Sequence, residues 1–299
     1  LQALIDSHHE VCMVVTQPDR EKGRGKAIAE SPVKTCAAAA GIPVFQPARI
    51  KTPEAVSELR AQQADVFVVA AYGQILSEEI LTIPRYGCIN VHASLLPRLR
   101  GASPIQWAIV QGETKSGVTI MQMDKGMDTG AILMQQEVEI TDDETGESLY
   151  EKLRSAGAPL LLKTLDALED GTAVPVPQDD AAATYAPLLQ KDMGRINWKK
   201  PADEIERLIR GMNPWPGAYT KLGGKLLKIW EAYPLPEDVR EDEGNIAPGT
   251  VLSAAGDGIR VRCGKGSIVL TQIQAEGKRR LPAHDYLLGS RLESGTQLG

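Results

Sequence analysis

No apolar run in the 299-residue chain approaches the roughly 20 residues that a membrane-spanning helix needs. Aromatic residues are scarce, at 4%, which argues against a broad base-stacking platform for single-stranded nucleic acid. Cysteine is also sparse. Cys12, Cys36, Cys88 and Cys263 lie far apart, with no CxxC pair and no Cys/His cluster of zinc spacing. A zinc ribbon and a disulfide scaffold are thereby excluded, and the four thiols read as small apolar side chains in a reducing compartment. Basic residues are outnumbered, 33 Lys+Arg against 39 Asp+Glu, for a net charge of −6, so the chain is not a globally basic nucleic-acid binder. A signal or transit peptide is not visible either, and the expected compartment is the cytoplasm. The sequence starts without methionine, inside the helix-like "LQALIDSHH". We therefore expect an N-terminal piece to be missing, which leaves a mitochondrial address open.

What is present is ordinary globular material, 42% apolar and 24% charged. The charge is uneven. Up to residue 186 there are 16 basic and 25 acidic residues, and beyond it 17 and 14, so the last third is mildly basic. The first part alternates strand and helix signals. "EVCMVVTQ", "IPVFQP", "DVFVVAAYG" and "GCINVHAS" read as strands. "SPVKTCAAAAG" and "TPEAVSELRAQQ" read as helices that open on a Ser or Thr cap followed by Pro. This is the pattern of an α/β domain with a largely parallel, Rossmann-like sheet. "GTAVPVPQDDAAATYAPLLQ" has no strong period and reads as a linker. Beyond it, short strands separated by Gly turns point to a small β-barrel. The expected division is residues 1–171, a linker at 172–190, and residues 191–299.

Chemistry concentrates between residues 88 and 128. In the strand "CINVH", Asn90 and His92 are two residues apart and project from the same face. They stand at the C-terminal end of a sheet strand, where such folds place their ligands. An amide beside an imidazole can stabilise an oxyanion, and the imidazole can carry a proton near neutral pH. A lone Asn-x-His pair is more often a histidine satisfied by nearby carbonyls. The turn "DKGMDTG" that follows a later strand adds Asp124 and Asp128. Either could fix the His92 tautomer, and either could simply shape the turn.

"NVHASLLPRLRGASPIQWAI" with "GVTIMQMDKGMDTG" downstream closely resembles the folate-dependent formyltransferases, and the match runs over nearly the whole chain. The resemblance implies transfer of a formyl group from 10-formyltetrahydrofolate to an amine, with no metal. It implies that Asn90 and His92 meet the developing oxyanion and that Asp128 is the catalytic carboxylate. Ser94, Leu95, Leu96 and Pro97 match the family's folate-binding loop, and Gln74, Ile75, Leu76 and Asp124 would cover the pteridine. Ile75 and Leu76 could equally be core. Arg98 and Arg100 could meet tRNA phosphate or the folate tail, or form structural salt bridges.

The amine acceptor is indicated outside the shared core. "TQPDREKGRGKAIAESPVK" resembles the basic loop that the tRNA-directed members of the family insert toward the acceptor stem of initiator tRNA. Its cations are Arg20, Lys22, Arg24, Lys26 and Lys34. The basic C-terminal third and "NPWPGAYT" fit the same branch. The partners this implies are methionyl initiator tRNA and the folate co-substrate, with the protein acting as a monomer. A relative acting on a small amine would share the core but have no use for the loop or the barrel. A folate- or RNA-binding module without catalysis would have no use for the Asn90, His92 and Asp128 set.

Overall fold

The computed structural model describes residues 1–22, 27–235, 246–256 and 258–299. The chain divides into two compact units: residues 1–101, 117–138 and 153–185 in one, and residues 102–116, 139–152 and 186–299 in the other.

In the first unit the strand Cys88–His92 is the organising element. It pairs in parallel with Phe67–Val69 and antiparallel with Lys115–Gln122, beside which lies Ile132–Glu139. A second parallel pair joins Val14–Val15 to Val44–Phe45. The helices Pro32–Ala39 and Pro53–Ala61 start as their sequences predict. Ser31 and Thr52 accept the backbone N–H groups of Lys34 and Ala55, and each is followed by a proline whose missing N–H costs nothing there. Ile50, Val56, Leu59 and Ile80 form a buried cluster, with Phe45, Phe67 and Leu76 packed on it.

The two faces of the central strand are set by its period of two. Val91 and Val118 lie toward the helix Gly146–Glu169, where a Cβ added at Gly157 would meet their methyls at 3.6 and 3.5 Å. The helix backbone thus comes close to that face, and Asn90 and His92 project from the other. Residues 172–190, which read as a linker, are tied down along much of their length. Ile132 and Val176 exchange backbone hydrogen bonds at 2.8 Å. The Thr184 carbonyl accepts from the Arg100 N–H at 2.8 Å, and its hydroxyl accepts from the Leu99 N–H at 2.9 Å.

The second unit is built on an antiparallel sheet in the order Ala218–Leu222, Lys225–Leu235, Ser267–Ala275, Gly258–Arg262, Val251–Ala255. The residues near 298 meet both of its edges: Leu298 bridges Leu222, and Gln297 bridges Thr250. These isolated bridges lie at the ends of the two edge strands and cover part of each edge. Its core includes Trp198, Ile205, Ile209, Val261, Ile268 and Leu270. The helix Ala202–Gly211 lays Ile205 and Ile209 on the sheet. A Cβ at Gly211 would lie 2.6 Å from the Val110 side chain, and Arg210 donates to the Glu144 carbonyl at 2.8 Å. Those contacts draw residues 102–116 and 139–152 into this unit. Among the described residues no helix is long and apolar enough to cross a membrane.

Candidate active site

His92 is buried, and its Nε2 lies 3.0 Å from the Leu99 carbonyl oxygen. A carbonyl only accepts, so Nε2 carries a proton, and in the neutral ring Nδ1 holds the lone pair. Nδ1 faces the Oδ2 of Asp128 at 3.7 Å. The tautomer is therefore set by the Leu99 carbonyl, and the carboxylate stands beyond direct hydrogen-bond distance of the ring. The Oδ2 of Asp128 accepts instead from the Gly101 N–H at 2.8 Å. Asn90 stands two residues before His92 on the same face, half-buried.

Two backbone positions that frame this pair are strained. Leu99 has φ 57° and Asp128 φ 55°, left-handed values that cost a non-glycine residue roughly 1–2 kcal/mol. The turn carrying Asp128 also needs its last glycine, because a Cβ at Gly130 would fall 1.6 Å from the Gln122 carbonyl oxygen. Asp124 shapes the same turn. Its Oδ1 accepts from the Gly126 N–H at 2.9 Å and from the Thr129 hydroxyl at 2.7 Å.

The Ser94–Pro97 loop is tied to the sheet. The Ser94 hydroxyl donates to the Arg98 carbonyl at 2.7 Å. Thr119 accepts from the Leu96 N–H at 3.1 Å and donates to the Ser94 carbonyl at 2.6 Å. Leu96 is buried, Leu95 packs over Gly117, and Pro97 is half-buried after a cis peptide bond. On the neighbouring loop, Gln74 accepts from the Ile50 N–H at 2.9 Å and Leu76 packs on the core, while Ile75 is 77% exposed. The Tyr72 hydroxyl there is buried without a partner, and burial pushes its pKa up. A cavity of about 330 Å³ lies between the Gln122–Ala131 turn and Pro177–Asp180. A groove of about 620 Å³ between Met134–Glu137 and Ala156–Lys163 is larger but is lined by none of the expected site residues. The chemistry, not the volume, marks the site.

Of the expected tRNA cations, Arg24 and Lys26 lie outside the described residues. Arg20 and Lys22 belong to a short strand that pairs with Ala27–Ala29. Lys34 is held by Asp19 and by Glu30, the latter at 3.0 Å. The hydrogen bond to Asp19 raises the Lys34 pKa, and the same bond, helped by Gln46, lowers that of Asp19. Arg100 is buried in an ion-pair and hydrogen-bond network. It is 2% exposed and donates to Gln178 at 3.0 and 2.8 Å and to Asp180 at 2.7 Å. The bonds of Gln178 and Thr184 to the loops at 128–130 and 99–100 are not visible in the sequence, because both residues fall in the segment without a period. A separate cluster brings the Nε2 atoms of His8 and His9 within 3.4 and 3.1 Å of Asp166 Oδ1, with His8 also 3.8 Å from Glu169 of the long helix.

Asn90 and His92 on one strand face, with His92 turned toward Asp128 on a glycine-bound turn and the SLLP loop beside them, make up the candidate site. The chain is a member of the formyl transferase family: the profile "Formyl transferase" matches residues 1–165 and "Formyl transferase, C-terminal domain" matches residues 188–291. Within that family the chain is 49% identical to the methionyl-tRNA formyltransferase of Lachnospira eligens, over 100% of this chain and 95% of that protein. It is also 49% identical to the methionyl-tRNA formyltransferase of Myxococcus xanthus, over 96% of this chain and 90% of that one. Among solved structures, the N-formyltransferase of Helicobacter canadensis, in complex with folinic acid and dTDP-3-aminofucose, has the same fold. It gives a TM-score of 0.66 at 20% identity, covering 92% of this chain and 93% of that one.

Proposed function

We propose that the protein transfers the formyl group of 10-formyltetrahydrofolate to the α-amino group of methionine on initiator tRNA, for translation initiation. One observation carries the reading: His92, which shares a strand face with Asn90, is turned toward Asp128 in a chain whose relatives at 49% identity are methionyl-tRNA formyltransferases.

The geometry suggests the division of labour. The methionyl amine attacks the formyl carbon; a C–N bond forms, and the carbonyl π pair moves to oxygen. Asn90, on the same face as His92, stabilises that oxyanion. His92 takes the amine proton at Nδ1, the nitrogen not engaged by Leu99, and the resulting imidazolium faces Asp128. The same proton then passes to the folate nitrogen as its bond to the formyl carbon breaks. No covalent enzyme intermediate is required. The exposed Ile75 and the turn at 124–128 offer apolar and polar surface for the folate ring. On the tRNA side, the loop cations and the barrel supply positive charge. There the Lys228 and Arg280 cations lie 5.3 and 5.6 Å from the Trp230 ring centroid.

The test is a formylation assay on the full-length protein with charged initiator tRNA, charged elongator tRNA and small amines, including an aminosugar nucleotide. Formylation of initiator methionyl-tRNA at least about a hundredfold faster per kcat/KM than of the others is expected, a difference of about 2.7 kcal/mol. Preference for a small amine would replace the reading with the sugar-directed one.

A further inference from the structure

We propose that Gln178 is a positioning residue that sets the separation between His92 and Asp128, with residues 176–184 acting as a strap across the catalytic loops. The proposal rests on the assignment of His92 and Asp128 as the reacting pair.

Every hydrogen-bonding capacity of the Gln178 amide is used. Its NH2 group donates to the backbone carbonyls of Asp128 and Gly130, at 2.9 and 2.7 Å. Its carbonyl accepts twice from Arg100, at 3.0 and 2.8 Å. One side chain thus grips the turn that carries the carboxylate and the arginine between Leu99 and Gly101. Those two neighbours are the residues that hold the pair. Leu99 accepts from His92 Nε2, and the Gly101 N–H donates to Asp128 Oδ2. Thr184 fixes the backbone N–H of Leu99 with its hydroxyl and that of Arg100 with its carbonyl.

This bracing has a physical purpose. Leu99 and Asp128 both sit at left-handed φ, a conformation that relaxes unless the surroundings over-determine it. A glutamine whose two donors and two lone pairs are all engaged resists displacement in any direction. Arg100 is buried, and its charge is balanced by Asp180, so the anchor at the other end of the amide is itself fixed.

The alternative is that Gln178 and Arg100 form a stabilising pair with no bearing on the reaction. Gln178→Glu separates the two. Its carboxylate keeps the bond to Arg100, but it has no donor for the carbonyls of Asp128 and Gly130. We expect kcat to fall about 10- to 100-fold, as for a reacting group displaced by up to 1 Å. KM for folate and for tRNA should stay within about threefold, and Tm should be held by the Arg100 pairing. Gln178→Ala gives up both ends and should fall in both kcat and Tm. A kcat for Gln178→Glu within twofold of the parent overturns the proposal. So does a loss of rate that follows the loss of folded protein.

A second readout does not depend on turnover. In 15N-labelled full-length protein the Nε2–H signal of His92, assigned by its loss in His92→Ala, should shift or broaden in Gln178→Glu. An unchanged signal also overturns the strap. If the parent protein fails to formylate tRNA, the proposed function falls, and the imidazole signal still decides the strap.

Discussion

The Nε2 proton of His92 goes to the carbonyl of Leu99 at 3.0 Å, and this single bond decides which nitrogen faces the carboxylate. Nδ1, left with the lone pair, looks toward Asp128 at 3.7 Å. The imidazole proposed as the base is therefore oriented by a backbone oxygen seven residues further along the chain. The oxygen that faces Nδ1, Asp128 Oδ2, is itself held by the Gly101 N–H at 2.8 Å.

From this arrangement, His92→Ala should lower kcat by about 10²–10⁴ through loss of the proton carrier. Asp128→Asn retains an oxygen for the Gly101 N–H but removes the charge opposite Nδ1, and a loss of similar order is expected. The affinity of each variant for tRNA, read by filter binding, should stay within about threefold of the parent. Full turnover by either variant would sink the assignment of these residues.

Replacing Lys22, Arg24 and Lys26 by glutamine should weaken tRNA use and flatten its salt dependence. For every phosphate deprived of its cation, the slope of log affinity against log salt should shrink by about 1. Lys34 serves as an internal comparison. Its ammonium is already partnered by Asp19 and Glu30, so Lys34→Gln should change the slope less. A slope unaltered by the triple change would place the loop away from the tRNA.

The Glu144–Lys152 pair in the second unit predicts a pH-dependent stability. Burial pushes the Glu144 carboxyl up, but Lys152, Ser148 and Thr141 together outweigh it and leave the pKa lowered. A group depressed in the folded state contributes stability above its unfolded value, near 4.3, and loses it as pH falls through the folded value. Glu144 is 3% exposed but the Lys152 side chain is 42% exposed, so screening reduces the effect. Lys152→Met should cost about 1–2 kcal/mol at pH 7. The gap from the parent should narrow below about pH 4. Urea unfolding at pH 7 and pH 3.5 tests this, and an equal gap at both values would exclude the pair as the cause.

Thiol titration offers an independent check on packing. Burial pushes the thiols of Cys88 and Cys263 up to about 12. Native protein should therefore release fast signal from Cys12 and Cys36 only, both part-exposed. Denaturant should add the other two. Rapid reaction of Cys88 in the native state would contradict the central place of its strand.

Local signals in the sequence carry well into three dimensions. Ser31-Pro32 and Thr52-Pro53 start helices because caps and fixed φ act within one turn. Asn90 and His92 share a face because a strand alternates. Long-range side-chain bonds are not legible in the same way. Gln178 lies in a stretch with no period, and its partners are backbone carbonyls about 50 positions away, which no composition encodes. Arg100 looks like a surface cation in one dimension and is buried only because Gln178 and Asp180 come to meet it. The recruitment of residues 102–116 and 139–152 into the second unit depends on Gly211 and Arg210, far along the chain.

That interleaving governs the order in which the protein can be born. An isolated bridge joins residue 298 to residue 222, and the same unit also holds residues 102–116. The first unit in turn waits for residues 153–185. The first unit has all its segments once residue 185 has emerged, while the second still lacks residues 186–299. Synthesis must reach the helix Ala202–Gly211 before the helix Pro104–Val110 meets its partner, so a chain stalled earlier exposes surface suited to chaperones and proteases.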